Sequence, residues 1–109
     1  MRLVKINVSQ GRVDEVKDAL LALGVQRIRV AQINGYVEGR QTEILWRGCR
    51  SVTHLLPEFE LEALVCDEFV DQAVDLIIRT VRQSARADGF VYVTPVEQCY
   101  RIKTGNPEV

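Results

Sequence analysis

The sequence predicts an α+β domain: a ferredoxin-like β-α-β-β-α-β sandwich with a long loop between its two βαβ halves. Three observations carry this. The apolar period passes from two to about 3.6 and back, and it does so twice along the chain. Between the halves, residues 37–56 hold no sustained period. The second-half strand places Leu64 opposite its other aliphatic residues, so one sheet face carries apolar surface with no helix to cover it. Burial of that face against further copies of the chain is the expected solution.

Residues 2–8 alternate, with Val4, Ile6 and Val8 on one face and Leu3, Lys5 and Asn7 on the other, which predicts a strand. Ser9-Gln10-Gly11 ends it. From Arg12, Val13, Val16, Leu20 and Leu23 recur at helical spacing, and Asp14 and Glu15 fall in the first turn, where the helix dipole favours carboxylates. Gly24 follows as a C-terminal cap. Val25 to Gly35 returns to strand period, Arg27 and Arg29 alternating with Ile28 and Val30. Residues 37–56 then contain Gly39, Gly48, Arg40, Arg47, Arg50, Trp46 and the only histidine, His54. A stretch of about 20 residues without packing of its own is more often functional than accidental. Pro57 is expected to close it.

The second half repeats the first in type. Phe59, Leu61, Ala63 and Val65 alternate with Glu60, Glu62, Leu64 and Cys66 as a strand, and Asp67 is a candidate N-cap. Val70, Val74, Ile77, Ile78 and Val81 form a helical stripe. Ser84 to Gly89 reads as a turn and Phe90 to Thr94 as a strand. Pro95 opens a short helical or irregular piece, and Tyr100 to Lys103 a short extended end. One domain, 1–109, is the expected organisation.

Composition narrows the function classes. Fourteen Lys and Arg against 15 Asp and Glu give a formal net charge of -1, which argues against a dedicated nucleic-acid binder. No apolar run approaches the roughly 20 residues of a membrane span. Charges interrupt Met1-Arg2-Leu3-Val4-Lys5-Ile6, unlike a secretory leader, so a cytoplasmic location is expected. Cys49, Cys66 and Cys99 form no C-x-x-C pair, and with His54 they offer no metal-ligand spacing. No metal site and no catalytic residue is assigned.

The chain resembles the PII signal-transduction family along essentially its whole length. The matching stretches are Val13-Asp14-Glu15-Val16-Lys17-Asp18-Ala19-Leu20, Gly24-Val25, Gly35-Tyr36, Thr42-Glu43, Trp46-Arg47-Gly48 and Leu56-Pro57. Val70-Asp71, Ile77-Ile78-Arg79-Thr80, Asp88-Gly89 and Arg101-Ile102-Lys103-Thr104-Gly105 follow in order. The resemblance implies a homotrimer that binds adenine nucleotides (ATP, ADP or AMP) in clefts between subunits and regulates a partner enzyme or transporter. It implies a sensor of nitrogen, carbon or energy status rather than an enzyme. The nucleotide-binding residues it implies are Asn7, Arg29, Gly35, Glu62, Leu64, Asp88, Gly89, Arg101 and Lys103. The partner-binding loop is residues 37–55, with Arg40, Trp46, Arg47, Arg50 and Ser51 as its contacts. Independently of family, Arg101 and Lys103 stand two apart, so on an extended segment both cations would face one side and clamp phosphates. Asp88-Gly89 is a turn whose backbone N–H groups suit an anion.

Departures from the family pattern alter these expectations. Where the family's nucleotide-binding turn reads Thr-Gly-Lys-Ile-Gly-Asp-Gly-Lys, this chain has Gln83-Ser84-Ala85-Arg86-Ala87-Asp88-Gly89-Phe90. Phe90 thus replaces a phosphate-binding lysine, at roughly 1.5–3 kcal/mol for one charge-assisted contact, with Arg86 a nearby candidate substitute. Asn7 stands where the family prefers an apolar residue. The family Gln that helps bind magnesium and 2-oxoglutarate falls at Gly39 by straight counting or at Gln41 within Gly39-Arg40-Gln41. Glu58 and Ser9 occupy positions that are basic in that site, and an acid repels a dicarboxylate, so weak or absent 2-oxoglutarate binding is expected. The loop tip, Trp46-Arg47-Gly48-Cys49-Arg50-Ser51, lacks the tyrosine that some family members modify, leaving Ser51 as a phosphorylation candidate. Two other readings stay open: a PII-like trimer with another effector, such as bicarbonate or a cyclic nucleotide, and a non-nucleotide structural or metal-handling module.

Overall fold

A computed structural model describes residues 1–36, 42–53, 55–83 and 89–108. Its main sheet has four strands: β1 (Arg2–Val8), β2 (Arg29–Tyr36), β5 (Leu55–Val65) and β6 (Phe90–Pro95), in the order β2-β5-β1-β6 with every neighbouring pair antiparallel. Helix α1 (Val13–Ala22) links β1 to β2, and α2 (Val70–Arg82) links β5 to β6. This is the split βαβ arrangement the two period changes predict.

One core holds these layers together. Val4, Ile6 and Val8 of β1 and Leu61, Ala63 and Val65 of β5 are buried with Val16 and Leu20 of α1 and Val70, Ala73 and Ile77 of α2. Because strand side chains alternate, both helices therefore cover the same sheet face. Gly24, at φ +87, ends α1: its N–H donates to the Leu21 carbonyl and that of Val25 to the Leu20 carbonyl, the Schellman pattern. Asp14 and Glu15 do occupy the first turn of α1.

Several boundaries differ from the sequence reading. Val25 and Ile28 pack against the core ahead of β2, which starts only at Arg29. Pro57 does not end the irregular stretch but lies inside β5, opposite Asn34. It is tolerated because β1 stops at Val8, opposite Phe59, so among the described residues β5 has β2 as its only main-sheet neighbour there. Asp67 is not a helix cap: it enters a 3-10 turn (Asp67–Phe69), Phe69 takes the N-cap position of α2, and the Asp67 carboxylate pairs with the Met1 amino group at 3.0 Å and Arg2 at 3.7 Å. Ile78 turns outward while the smaller Ala73 is buried, since α2 packs against the sheet through Val70, Ala73 and Ile77.

The linking stretch is not aperiodic throughout. Residues 42–53 form an antiparallel hairpin, β3 (Thr42–Trp46) and β4 (Cys49–Thr53), as a separate two-stranded sheet. Arg47 (φ +50) and Gly48 (φ +78) make its two-residue turn, the left-handed pair that matches strand twist. The C-terminal segment is a turn rather than an extended end. The Arg101 N–H donates to the Asn106 carbonyl, that of Gly105 to the Arg101 carbonyl, and Tyr100 bridges Pro107. No described helix is long and apolar enough to cross a membrane.

Candidate functional site

The sheet face away from the helices carries Leu3, Lys5 and Asn7 of β1. Register places Leu64, Glu62 and Glu60 of β5 opposite them on one side and Thr94, Tyr92 and Phe90 of β6 on the other. Arg29, Ala31 and Ile33 of β2 extend the same face beside Glu62, Glu60 and Glu58. The centre is ionic. Lys5 Nζ donates to Glu62 at 3.2 Å and Glu60 at 3.3 Å, and an Arg29 guanidinium nitrogen lies 4.0 Å from Glu62. Hydrogen bonding to Glu62, and then to Glu60, raises the Lys5 pKa above its ordinary value. The Lys5 hydrogen bond holds the Glu62 carboxyl below its ordinary value against partial desolvation, and Arg29 adds to this. Around this centre Leu64, Phe90 and Tyr92 remain substantially exposed, Phe90 at 65 %, and the two aromatic rings stack with centroids 6.0 Å apart.

At one end of β1, Gly89 presses against the backbone of Asn7. A Cβ on Gly89 would fall 2.0 Å from the Asn7 carbonyl oxygen, and its φ of +133 is a glycine conformation. Asn7 and Gly89 border a cleft of about 130 Å³, whose other walls include Ile78, Val81, Arg82 and Phe90. The Asn7 Oδ1 is buried with no hydrogen-bond partner among the described residues, an acceptor whose neglect ordinarily costs about 1–3 kcal/mol. Further along the face, Gly35 gives room to Glu58: a Cβ there would lie 2.7 Å from the Glu58 carboxylate carbon.

Arg101 and Lys103 lie at the opposite end, on the C-terminal turn. The Val96 N–H donates to the Met1 carbonyl, and this anchors the segment beside the start of β1. The turn separates the two cations, so they do not share one face of a strand. Arg101 pairs through Nε with Glu108. A second, more polar cleft of about 430 Å³ runs between Asp67, Met1 and this segment, with Cys99, Tyr100 and Glu108 among its walls.

The nine residues singled out for nucleotide binding thus divide into groups. Arg29 and Glu62 sit together mid-face, with Leu64 one step along β5. Asn7 and Gly89 meet at one end, with Gly35 beyond it on β2. Arg101 and Lys103 stand at the other end, and Asp88 lies outside the described residues, as does Arg86. Sequence reasoning missed Lys5, Glu60 and Glu108. The signal for the first two was present, since both alternate onto the face of Glu62, but only the strand order makes them neighbours.

In the hairpin, Arg50 pairs with Glu43 across the strands at 3.4 Å, and Ser51 is exposed on β4. Arg47 occupies the turn. Leu45 and Val52, on the face shared by Glu43 and Arg50, are exposed and apolar. Arg40, Gly39, Gln41 and His54 lie outside the described residues, as does the Trp46 side chain. Among the described residues no group of three or more His, Cys, Asp or Glu side chains is placed to hold a metal ion.

Comparison with known proteins identifies the fold's relatives. Residues 1–106 match the family model of nitrogen regulatory protein P-II. The chain is 34 % identical over 105 residues to a nitrogen regulatory protein P-II of Cereibacter sphaeroides, covering 96 % of this chain and 94 % of that one. Identity is also 34 % over 111 residues to that of Rhizobium etli, covering 99 % and 96 %. To nitrogen regulatory protein P-II 1 of Escherichia coli it is 30 % over 108 residues, again covering 99 % and 96 %. With the family model spanning residues 1–106 and relatives at 30 % identity or more matched over nearly their whole length, the chain belongs to the nitrogen regulatory protein P-II family.

Proposed function

We propose that this chain is a signal-transduction regulator that binds an adenine nucleotide at clefts between the subunits of a homotrimer and acts on a partner protein, without catalysis of its own. Asn7, Arg29, Gly35, Glu62, Leu64, Asp88, Gly89, Arg101 and Lys103 hold the nucleotide. Arg40, Trp46, Arg47, Arg50 and Ser51, in the segment 37–55, meet the partner.

One observation carries the reading. The residues at Gly89 and those at Arg101 flank opposite ends of β6, about 16 Å apart at roughly 3.3 Å per residue. Both sets are assigned to phosphate, and a phosphate chain is far shorter than that span, so one nucleotide touching both needs the Gly89 end of one copy beside the Arg101 end of the next. The open face supports such packing, because Leu64, Phe90 and Tyr92 provide apolar surface on it while the Lys5–Glu62 pair is internally neutralised.

The test is titration calorimetry with ATP, ADP and AMP, each with and without magnesium and 2-oxoglutarate, alongside light scattering for mass. Micromolar nucleotide binding at one site per chain by a trimer is the expected result. Absence of binding by all three nucleotides refutes the reading, and a monomer that binds refutes its between-subunit form.

A further inference from the structure

We infer that Glu108 is a specificity-determining residue of the proposed nucleotide site, one that screens Arg101 and narrows the preference for ligands with more phosphates. The inference rests on the placement of Arg101 in that site. Glu108 lies beyond residues 1–106, the span matched by the family model.

The geometry is a closed loop. The Glu108 N–H donates to the Cys99 carbonyl at 2.7 Å, Tyr100 bridges Pro107, and the Arg101 N–H donates to the Asn106 carbonyl at 3.0 Å. Asn106 is held in turn by the Thr104 hydroxyl, which accepts its N–H at 3.2 Å. These contacts fix the backbone at both residues, so the Glu108 carboxylate reaches Arg101 Nε without ordering a long free chain. Glu108 is the less exposed partner, at 32 % against 59 % for the Arg101 side chain.

Electrostatics gives the consequence. An unpaired guanidinium attracts each added phosphate charge as a monopole. A guanidinium bearing a carboxylate on Nε is a near-neutral pair, and its attraction falls away faster with distance. The remaining guanidinium N–H groups of Arg101 still donate to one phosphate oxygen, since Nε is the atom Glu108 uses. The gain from a second or third phosphate is what Glu108 suppresses.

The experiment measures AMP, ADP and ATP affinities by calorimetry for the wild type, Glu108→Gln, Arg101→Ala and the double variant. Circular dichroism and light scattering check that fold and mass are retained. Glu108→Gln keeps the size and a hydrogen-bond acceptor while removing the charge. It is expected to tighten ATP by about three- to fivefold and AMP by under about twofold at low salt, the range of a partly exposed charge pair. The gain is expected to shrink at high salt. In the Arg101→Ala background the same change is expected to leave the ATP-to-AMP ratio unaltered. An unchanged ratio in the single variant overturns the inference while nucleotide binding itself stands. A uniform loss of affinity also overturns it, since that would make Glu108 an aligner of Arg101. If the wild type binds none of the three, the functional reading falls and this inference falls with it.

Discussion

Lys5 and Glu62 occupy directly opposed positions on β1 and β5, and the ammonium lies 3.2 Å from the carboxylate, with Glu60 completing the bridge at 3.3 Å. The relationship sets a pH dependence. Glu62 is held below its ordinary value of 4.5, so its contribution is fully present above that value and is lost as pH falls through its lowered folded value. Lys5 is raised above 10.5, so its contribution is present below that value and lost as pH climbs past it. Lys5→Met is expected to lower the urea midpoint at neutral pH and to make the decline between about pH 5 and pH 3 shallower. Urea titrations across that range check both. Parallel wild-type and variant curves would show that the bridge contributes nothing to acid stability.

Two glycines in the family-like motifs differ in kind. At Gly89 a Cβ would stand 2.0 Å from the Asn7 backbone oxygen at a φ of +133, and the backbone of β1, paired on both sides, cannot give way cheaply. Gly89→Ala is expected to destabilise the fold by about 2–4 kcal/mol. At Gly35 the obstacle is the flexible end of the Glu58 side chain, with no positive φ, and Gly35→Ala is expected to cost under about 1 kcal/mol. Chemical denaturation of the pair checks the contrast, and equal losses would refute it.

The β3–β4 hairpin is a two-stranded sheet, which is marginal on its own. Its turn needs left-handed backbone at Gly48, and a β-branched side chain there is strained by about 1–2 kcal/mol. Gly48→Val is therefore expected to raise amide exchange across residues 42–53 while the midpoint of global unfolding stays within about 1 °C. Loss of global stability would show that the hairpin is coupled to the main core.

How much of this was legible in the sequence depends on which force decides each element. Val4, Ile6 and Val8, and Val16 with Leu20, announce their elements because burial alone sets their period. The hairpin escaped because Glu43, Leu45, Arg50 and Val52 share one face with both charged and apolar residues exposed, so no alternation of polarity marks it. Pro57 misled because strand propensity assumes neighbours on both sides, a condition that fails beyond Val8. Of the residues singled out from the sequence, Glu62 and Arg29 meet across β5 and β2. Arg101 and Lys103 do not align on one face because the Arg101 N–H donates to the Asn106 carbonyl and the Glu108 N–H to the Cys99 carbonyl, which curls the segment that spacing alone reads as extended.

Glu58 stands at a position that the family resemblance makes basic in the expected 2-oxoglutarate site. Its carboxylate is held over Gly35, at the end of β2 that leads into the segment 37–41, and a second acid brought there meets like charge. Neutral or cationic groups at this point would favour a dicarboxylate; a carboxylate opposes it whatever the nucleotide does. Addition of 2-oxoglutarate is therefore expected to leave Mg-ATP affinity unchanged in the wild type. Glu58→Lys reverses the local charge by two and is expected to make ATP and 2-oxoglutarate bind with mutual tightening of about fivefold or more, the lower end of ordinary coupling between sites. Reciprocity supplies an internal check, since each ligand must tighten the other by the same factor. Coupling already present in the wild type would show that the Glu58 carboxylate turns away from the effector, and its absence in both proteins would place the obstacle elsewhere than at this charge.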